Sequence, residues 1–443
     1  MKDIKNVDQE LAEISVPFTL NRREFLKLLS GGIIVSFSLE NIYGWEEAPQ
    51  QRRSRREPDD PNAYLIIGED GTVTCLSGKI EMGQGVITSL PQMLAEELEV
   101  PLKSVNIVLG DTALCPWDMG TFGSRSTKFY GPLLRAAAAE AREILIELAA
   151  EQLGLPKDKL YVKEGFVIKK DNPENKVSYA SLAKGKRIEH HLEKDASLKP
   201  VTDFTVCGKP RYRTDSHEKV TGEAKFTGDI RLEGMLYARI LRPPAHRAQL
   251  KSVDTSAAEK IEDVLVIREG DLIAVLHPTP DGAEEALSKI KAQFDVPEEN
   301  LDHKNIYEYL LKIPSEGDVI EQEGDLEEGK KLSTKIIEST YFNCYVAHAP
   351  LETHTALAKV DGDKAVVWAS TQTPFRAKDE VAQVLGLPAE NVRVIAPFVG
   401  GGFGGKTRNG QVVEAARLSK LTGKPVQVAW TRSEEFFFDN YRP

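Results

Sequence analysis

The sequence predicts a multi-domain chain of mixed α/β and α+β class, and three observations carry that reading. Short strand patterns alternate with helical runs toward the C-terminal end, one long alanine-rich helical run lies in the first half, and polar stretches at 184–200 and 316–331 interrupt the pattern. With 443 residues, 41% hydrophobic and 28% charged, the chain has ordinary globular composition and material for roughly two to four domains.

The first segment, 1–44, reads as an export signal. Arg22 and Arg23 stand just before Phe25, Leu26 and Lys27, and a short apolar run from Leu28 to Leu39 follows. That run is too short to cross ~30 Å of hydrocarbon as a helix, and Gly31 and Gly32 weaken a buried first helix. The pattern resembles a twin-arginine signal, a route taken by proteins that fold and load a cofactor before crossing. The expected location is therefore the periplasm or cell envelope. No A-x-A site follows, which favours retention as an N-terminal anchor and some membrane association. Residues 45–61, with EEAPQQRRSRREPDDP, form a polar linker.

The segment 62–184 opens with AYLIIGEDGTVTCLSG, a hairpin turning at Glu69-Asp70-Gly71, and runs on into KIEMGQGVITS. A helix over SLPQMLAEELEV has Pro91 near its first turn, and SVNIVLGD is a strand. A Gly/Ser/Thr-rich loop, DTALCPWDMGTFGSRSTKFYG, then empties into the helix PLLRAAAAEAREILIELAAEQLGL, which begins at Pro132, and YVKEGFVI closes the segment as a strand. After a linker at 185–204, the block 205–315 mixes the strands KFTGDI, MLYARILRP and DVLVIREGDLIAVL with a helix over DGAEEALSKIKAQF, as a small α+β module would. The last segment, 332–443, carries strand patterns from KIIESTYFN through DKAVVWAST, NVRVIAPFV and PVQVAWTR, with DEVAQVLGL and QVVEAARLSKLTGK as helices. Ending at DNYRP without a polar tail, it reads as the first part of a domain continued elsewhere.

A formal net charge of -11 argues against a nucleic-acid partner, because phosphate backbones are gripped by basic stripes. The basic patch at Arg52, Arg53, Arg55 and Arg56 reads as a solvated part of the linker. Cys75, Cys115, Cys207 and Cys344 are widely spaced with no C-x-x-C pair, so the chain shows no zinc or iron-sulfur signature. His348, His354, Glu352 and Asp118 lack a specific metal-ligand spacing.

The stretch GGGFGGKT, Gly400 to Thr407, matches the phosphate-loop pattern G-x-x-x-x-G-K-[ST] between a strand and a helix, which raises a nucleotide-hydrolysing alternative. Three features weigh against it. Phe403 is a bulky apolar residue inside the loop, Gly410 weakens the following helix by about 1 kcal/mol relative to Ala, and an exported enzyme finds little ATP.

Two other blocks suit a bound cofactor. Gly83 and Gly85 around Gln84 allow close backbone approach to a flat ligand, with an amide side chain that offers both donor and acceptor. A tight turn is the plainer reading of the same residues. Ser124, Ser126 and Thr127 before the alanine-rich helix suit an anion or simple capping.

Taken together, GKIEMGQG, TFGSRST, EKVTGEAKFTGDI with LYARILRPPAH, STQTPF and VGGGFGGK resemble the molybdopterin-binding subunit of the xanthine dehydrogenase and aldehyde oxidase family. The likeness runs from Asn62 to Pro443 and is nearest the exported isoquinoline 1-oxidoreductase branch, in which the GQG block precedes the GGGFGGK block. It implies molybdopterin-binding segments at 62–184 and 332–443 flanking an a/b hammerhead domain at 205–315. It further implies a molybdenum-molybdopterin cofactor in the cytosine dinucleotide form, bound by Gly83, Gln84, Gly85, Ser124, Ser126, Thr127, Gly401, Gly402, Phe403 and Gly404, with the metal held by the pterin dithiolene. Gln372 would hydrogen-bond a ligand of the molybdenum, and Phe403 would face metal and substrate. The implied reaction hydroxylates an aldehyde or N-heterocycle with water as oxygen source. Electrons would leave through a small [2Fe-2S] subunit and on to a cytochrome c. Many relatives carry Glu after G-G-K where this chain has Thr407, which weakens a purine site. The family's general base lies downstream of the residues matched, so the chain would be catalytic only once that part is supplied, and alone would be a cofactor-binding half.

Overall fold

The computed structural model describes residues 32–36, 65–191, 197–270, 272–298, 301–313, 319 and 321–440. Arg22, Arg23 and the linker arginines lie outside them.

The hairpin expected at 65–77 forms as drawn: β2 (Leu65–Ile67) and β3 (Val73–Ser77) pair antiparallel, with Leu65 opposite Cys75. They sit in a five-stranded sheet ordered β4-β3-β2-β1-β8, where β1 is Gly32–Ser36, β4 is Val105–Leu109 and β8 is Arg187–His191. Residues read as the apolar core of an export signal thus occur as a strand, with Ile33 fully buried. One face of the sheet is covered by α1 (Val86–Leu98) and α2 (Gly131–Leu153), whose Leu90, Leu94, Leu134, Ala137, Ala138 and Ala141 form the main core. Alanine on α2 lets the helix backbones and sheet approach closely.

Two local readings are corrected. Pro91 is not in a first turn, because α1 already begins at Val86 after Gly85 (φ 87°), so Pro91 falls mid-helix and removes one internal hydrogen bond. YVKEGFVI is not one strand but a hairpin, β5 (Leu160–Lys163) and β6 (Phe166–Lys169), turning at Glu164 and Gly165, both with positive φ. A third strand, β7 (Asn172–Ser178), completes that small sheet.

The second large sheet has seven strands, ordered β11-β12-β9-β17-β14-β15-β16. It joins β9 (Leu236–Ile240), β11 (Leu265–Glu269) and β12 (Leu272–His277) to β14 (Thr355–Asp361), β15 (Lys364–Ala369), β16 (Val392–Ile395) and β17 (Val426–Ala429). Strands of the expected 205–315 module therefore share a sheet with the last segment, β9 lying parallel to β17 through Leu236 opposite Val426. Only β10 (Gln249–Asp254) and β13 (Lys291–Asp295) pair apart from it. That second strand corrects the helical reading of KAQF, since α3 (Pro280–Lys289) ends at Lys289. KFTGDI and KIIESTYFN form no strand. The helices α4 (Pro374–Leu385) and α5 (Gly410–Thr422) cover the sheet with Val381, Leu385, Val412 and Leu418, and α6 (Arg432–Phe438) follows β17.

The two large units meet through Phe375, which packs with Ile66, Leu76 and Val108 on the far face of the first sheet. Arg393 of β16 pairs with the buried Asp111 beyond β4, and Ala396 N–H donates to the Gly110 carbonyl at 3.0 Å. All four cysteines are free, and burial pushes the Cys75 thiol up to about 12.

A buried carboxylate fixes the polar connector after β8. Glu96 of α1 accepts hydrogen bonds from the backbone N–H groups of Thr205, Val206 and Cys207 and pairs with Lys199 at 2.7 Å. Burial alone would raise its pKa, but these partners together bring it down to about 2. A carboxyl depressed on folding stabilises above its unfolded pKa and loses that contribution as pH falls through the folded value. Stability from Glu96 should therefore be intact at neutral pH and decline from about pH 4.5 toward about 2, measurable by urea melts across that window. Glu96→Ala, which leaves three backbone N–H groups without their acceptor and Lys199 with Glu99 alone, should cost about 3 kcal/mol at pH 7 and flatten the acid decline.

Candidate functional site

Four loops converge where the two large units meet. The first, 78–85, is shaped by Glu81, a buried residue that the sequence pattern does not single out. Its Oε1 accepts from Gly83 N–H (2.8 Å) and Gly85 N–H (3.1 Å), and its Oε2 from Ile87 N–H (3.1 Å). A carboxylate at the start of α1 is favoured by the helix dipole as well. Arg213 closes the other side, donating to Glu81 Oε1 at 3.0 Å and to the Gly83 carbonyl at 2.7 Å, and is itself paired with the buried Asp215. Burial opposes the Asp215 charge, yet Arg213 and Lys219 hold it at about 2. Gln84 is exposed. It accepts from Met82 N–H at 2.7 Å and donates to the Ile80 carbonyl at 2.8 Å, so its amide closes its own turn with one donor and one acceptor already used.

The second loop, 116–127, is clamped by a buried pair. Lys79 Nζ lies 2.9 Å from Asp118 Oδ1 and 2.9 Å from the Gly120 carbonyl, which gives Asp118 a structural partner. Thr121 Oγ1 receives Ile80 N–H at 3.0 Å, tying this loop to the first. Ser124 (φ 55°) and Thr127 are exposed, whereas Ser126 is buried at the start of a π-helical turn, Ser126–Tyr130, that runs into α2. No side-chain cap bond is made there, so these hydroxyls do not serve as helix caps.

Gln372 joins the remaining loops. Its residue is 1% exposed; its Nε2 donates to the Thr121 carbonyl at 2.7 Å, and its Oε1 accepts Gly404 N–H at 3.0 Å. Its backbone adds Gln372 N–H to the Lys406 carbonyl (2.8 Å) and Thr121 N–H to the Gln372 carbonyl (2.9 Å). A Cβ on Gly402 would stand 2.6 Å from Gln372 Oε1, so only glycine fits there. Gly401 (φ 92°) and Gly404 (φ 111°) use the left-handed region, and Phe403 between them does so too (φ 55°) while 73% exposed. Val399 N–H donates to the Glu81 carbonyl at 3.0 Å, which completes the ring of loops. The structure thus brings Gly83, Gln84 and Gly85 onto one loop beside that of Gly401, Gly402, Phe403 and Gly404, with Gln372 beneath the latter.

Lys406 settles the phosphate-loop question. Its side chain has no exposure, and its ammonium lies 2.9 Å from Glu352 Oε2. Burial lowers its pKa, only partly countered by Glu352. The same Glu352 oxygen receives Gly400 N–H at 2.7 Å. Gly405–Thr407 is a single 3-10 turn, and α5 starts only at Gly410. A lysine sealed on a carboxylate cannot reach a phosphate, so the nucleotide-loop alternative is withdrawn.

Among the described residues no group of three or more His, Cys, Asp or Glu is placed to hold a metal. His354 is buried against Glu435 and His348 pairs with Asp439. The open cleft lined by His246, Arg247, Glu308 and Tyr309 contains none of the loop residues.

The site is thus a set of glycine-rich loops on an ionically braced floor, in a chain of the cofactor-binding class. The description "Molybdopterin cofactor-binding domain" matches residues 23–225 and again 312–443. The chain belongs to the molybdopterin-binding xanthine dehydrogenase/aldehyde oxidase family, on its isoquinoline oxidoreductase-like side. It is 29% identical to a nicotinate dehydrogenase chain of Pseudomonas putida, over 85% of this chain and 32% of that protein. Against the beta chain of isoquinoline 1-oxidoreductase of Brevundimonas diminuta the identity is 24%, over 97% of this chain and 62% of that protein. Quinoline 2-oxidoreductase from Pseudomonas putida 86 matches in structure with a TM-score of 0.45 and 21% identity, covering 53% of this chain and 36% of that one. The chain spans less than two thirds of the length of these relatives.

Gly402→Ala should displace Gln372 and loosen both loops it joins, costing about 1–3 kcal/mol and raising amide exchange at Thr121 and Gly404; exchange like the parent's would remove Gln372 as the joint. Lys406→Ala should cost about 3–5 kcal/mol by stranding Glu352, and calorimetry should find no saturable ATP binding in either protein.

Proposed function

We propose that this chain is a subunit of a molybdenum hydroxylase that oxidises an N-heterocycle or an aldehyde. The observation that carries the reading is the convergence of the GQG, TFGSRST, STQ and GGGFGG loops on one floor, in a chain matched twice by molybdopterin cofactor-binding domains. The residues present fit a pterin. Gly83 has open space where a Cβ would be, and Gly401 and Gly404 take left-handed conformations that glycine alone adopts freely.

When bound, the molybdenum cofactor supplies a two-electron oxidation with water as the oxygen source. The chain's own residues do the positioning. Gly401, Gly402 and Gly404 would lie against the cofactor, with Gly83, Gln84, Gly85, Ser124, Ser126 and Thr127 along its pterin and anionic parts. Gln372 keeps one amide N–H beyond its bond to Thr121 and would direct it toward the metal's ligands. The exposed Phe403 ring would pack against the substrate and exclude water from one side.

Catalysis would need polypeptide equivalent to the part of the relatives that these residues do not span, and that part would hold the general base. The cytosine dinucleotide form of the cofactor, a small [2Fe-2S] partner with a cytochrome c beyond it, and export by the twin-arginine route belong to this same proposal. The names of the relatives, a nicotinate dehydrogenase and an isoquinoline oxidoreductase, support the N-heterocycle arm. Among the described residues no helix is long and apolar enough to cross a membrane.

Protein purified from a molybdenum-replete host should carry close to one molybdenum and one pterin per chain, and folded protein holding neither would overturn the proposal. Replacing Arg22 and Arg23 together by Lys should leave the chain in the cytoplasm, by fractionation; undiminished export would remove the twin-arginine route.

A further inference from the structure

Two histidines leave one short stretch, and each is held through Nδ1 by a carboxylate near the end of the described chain. His354 is sealed. Its Nδ1 lies 3.0 Å from Glu435, its N–H donates to Glu435 Oε2 at 2.9 Å, Trp430 stacks on its ring at 4.7 Å, and the residue is 2% exposed. His348 is built the same way but left open. Its backbone N–H donates to Asp439 Oδ2 at 2.9 Å and its Nδ1 lies 2.8 Å from Asp439 Oδ1, while the side chain keeps 12% exposure.

The His348 ring lies across the glycine loop. A Cβ on Gly404 would stand 3.3 Å from His348 Nε2, and one on Gly405 would stand 3.2 Å from its Cγ. Glycine at both positions leaves nothing between imidazole and loop. The Asp439 carboxylate takes the Nδ1 proton as its hydrogen bond, so the neutral ring presents a lone pair at Nε2. Among the described residues that nitrogen has no hydrogen-bond partner, and a ring braced at one nitrogen and open at the other is arranged to meet a donor.

We propose that His348 is a cofactor contact: its Nε2 accepts a hydrogen bond from an N–H or O–H of the pterin lodged on the glycine loop beside Gly404. Asp439 acts through it as a positioning residue, fixing tautomer and ring plane. The inference rests on the cofactor reading above and adds a side chain to a site otherwise made of backbone and Gln372.

Acylation by diethyl pyrocarbonate, followed at each histidine by peptide mass, tests the contact on the parent protein. Cofactor-loaded protein, with its pterin content measured first, is compared with cofactor-free protein from a molybdenum-depleted host. His348 should react about tenfold more slowly in the loaded form, a factor that a single hydrogen bond of about 1.4 kcal/mol supplies, while sealed His354 is slow in both. His348→Asn places an amide N–H where Nδ1 stood and so keeps the Asp439 bond. That variant should melt with the parent when empty, yet lose pterin sooner on gel filtration. Equal acylation of His348 in the two forms, or pterin retention by the variant matching the parent's, overturns the contact. A preparation from the replete host that contains no pterin overturns the cofactor reading and this contact with it.

Discussion

The amide of Gln372 is the joint on which the site depends. One side chain, buried to 1%, bonds the Thr121 carbonyl on one loop and Gly404 N–H on another, while its own backbone bonds Thr121 and Lys406. Thr121 belongs to the first structural unit and Gly404 to the second, so the same residue closes the gap between units that come from distant parts of the chain. A buried amide leaves unsatisfied groups costing about 1–3 kcal/mol each when a partner is removed. That penalty makes the arrangement of the loops a two-sided constraint: neither can shift without stranding the other's bond.

Around this joint the floor is ionic. Lys79 with Asp118, Glu81 with Arg213, Asp215 with Lys219, and Lys406 with Glu352 all place at least one member nearly out of solvent. Ion pairs of this kind contribute little net stability, since the cost of leaving water offsets the attraction. Their effect is geometric. Three of these carboxylates also receive backbone N–H groups, Glu81 from Gly83, Gly85 and Ile87, Asp118 from Gly120 and Glu352 from Gly400. The charges thereby fix the path of loops that glycine would leave free.

Much of this is legible in the sequence, and what is not has a physical reason. The hairpin at 65–77, the alanine-rich α2 and the alternation of β15, β16 and β17 with α4 and α5 follow from period and turn chemistry, which are local. Gly83, Gly402 and Gln372 stand out as members of short blocks. Glu81 and Lys79 sit inside one of those blocks and do not, because a charged residue beside glycines reads as solvated until its burial is known. Lys406 misleads for the complementary reason: its spacing fits a phosphate loop, and only the position of Glu352, distant in sequence, shows where its ammonium goes. The pairing of β9 with β17 likewise depends on which sheet edge is free, which no local pattern carries.

Two non-glycine residues in the left-handed region lie on the joined loops, Ser124 (φ 55°) and Phe403 (φ 55°). Each such conformation costs on the order of 1 kcal/mol or more for an L-residue and persists only where neighbours over-determine it. At Phe403 the neighbours are identifiable: Gly404 N–H is held by Gln372, Gly405 N–H by the Gly402 carbonyl at 2.8 Å, and Gly402 lies against the Gln372 amide. Strain of this size would relax in a free loop. Here the loop is held, and Phe403 stays 73% exposed with its ring beside Gly401. The backbone therefore presents an apolar face at fixed orientation before any ligand arrives, and the ordering cost of placing it there is already met by bonds made at Gln372.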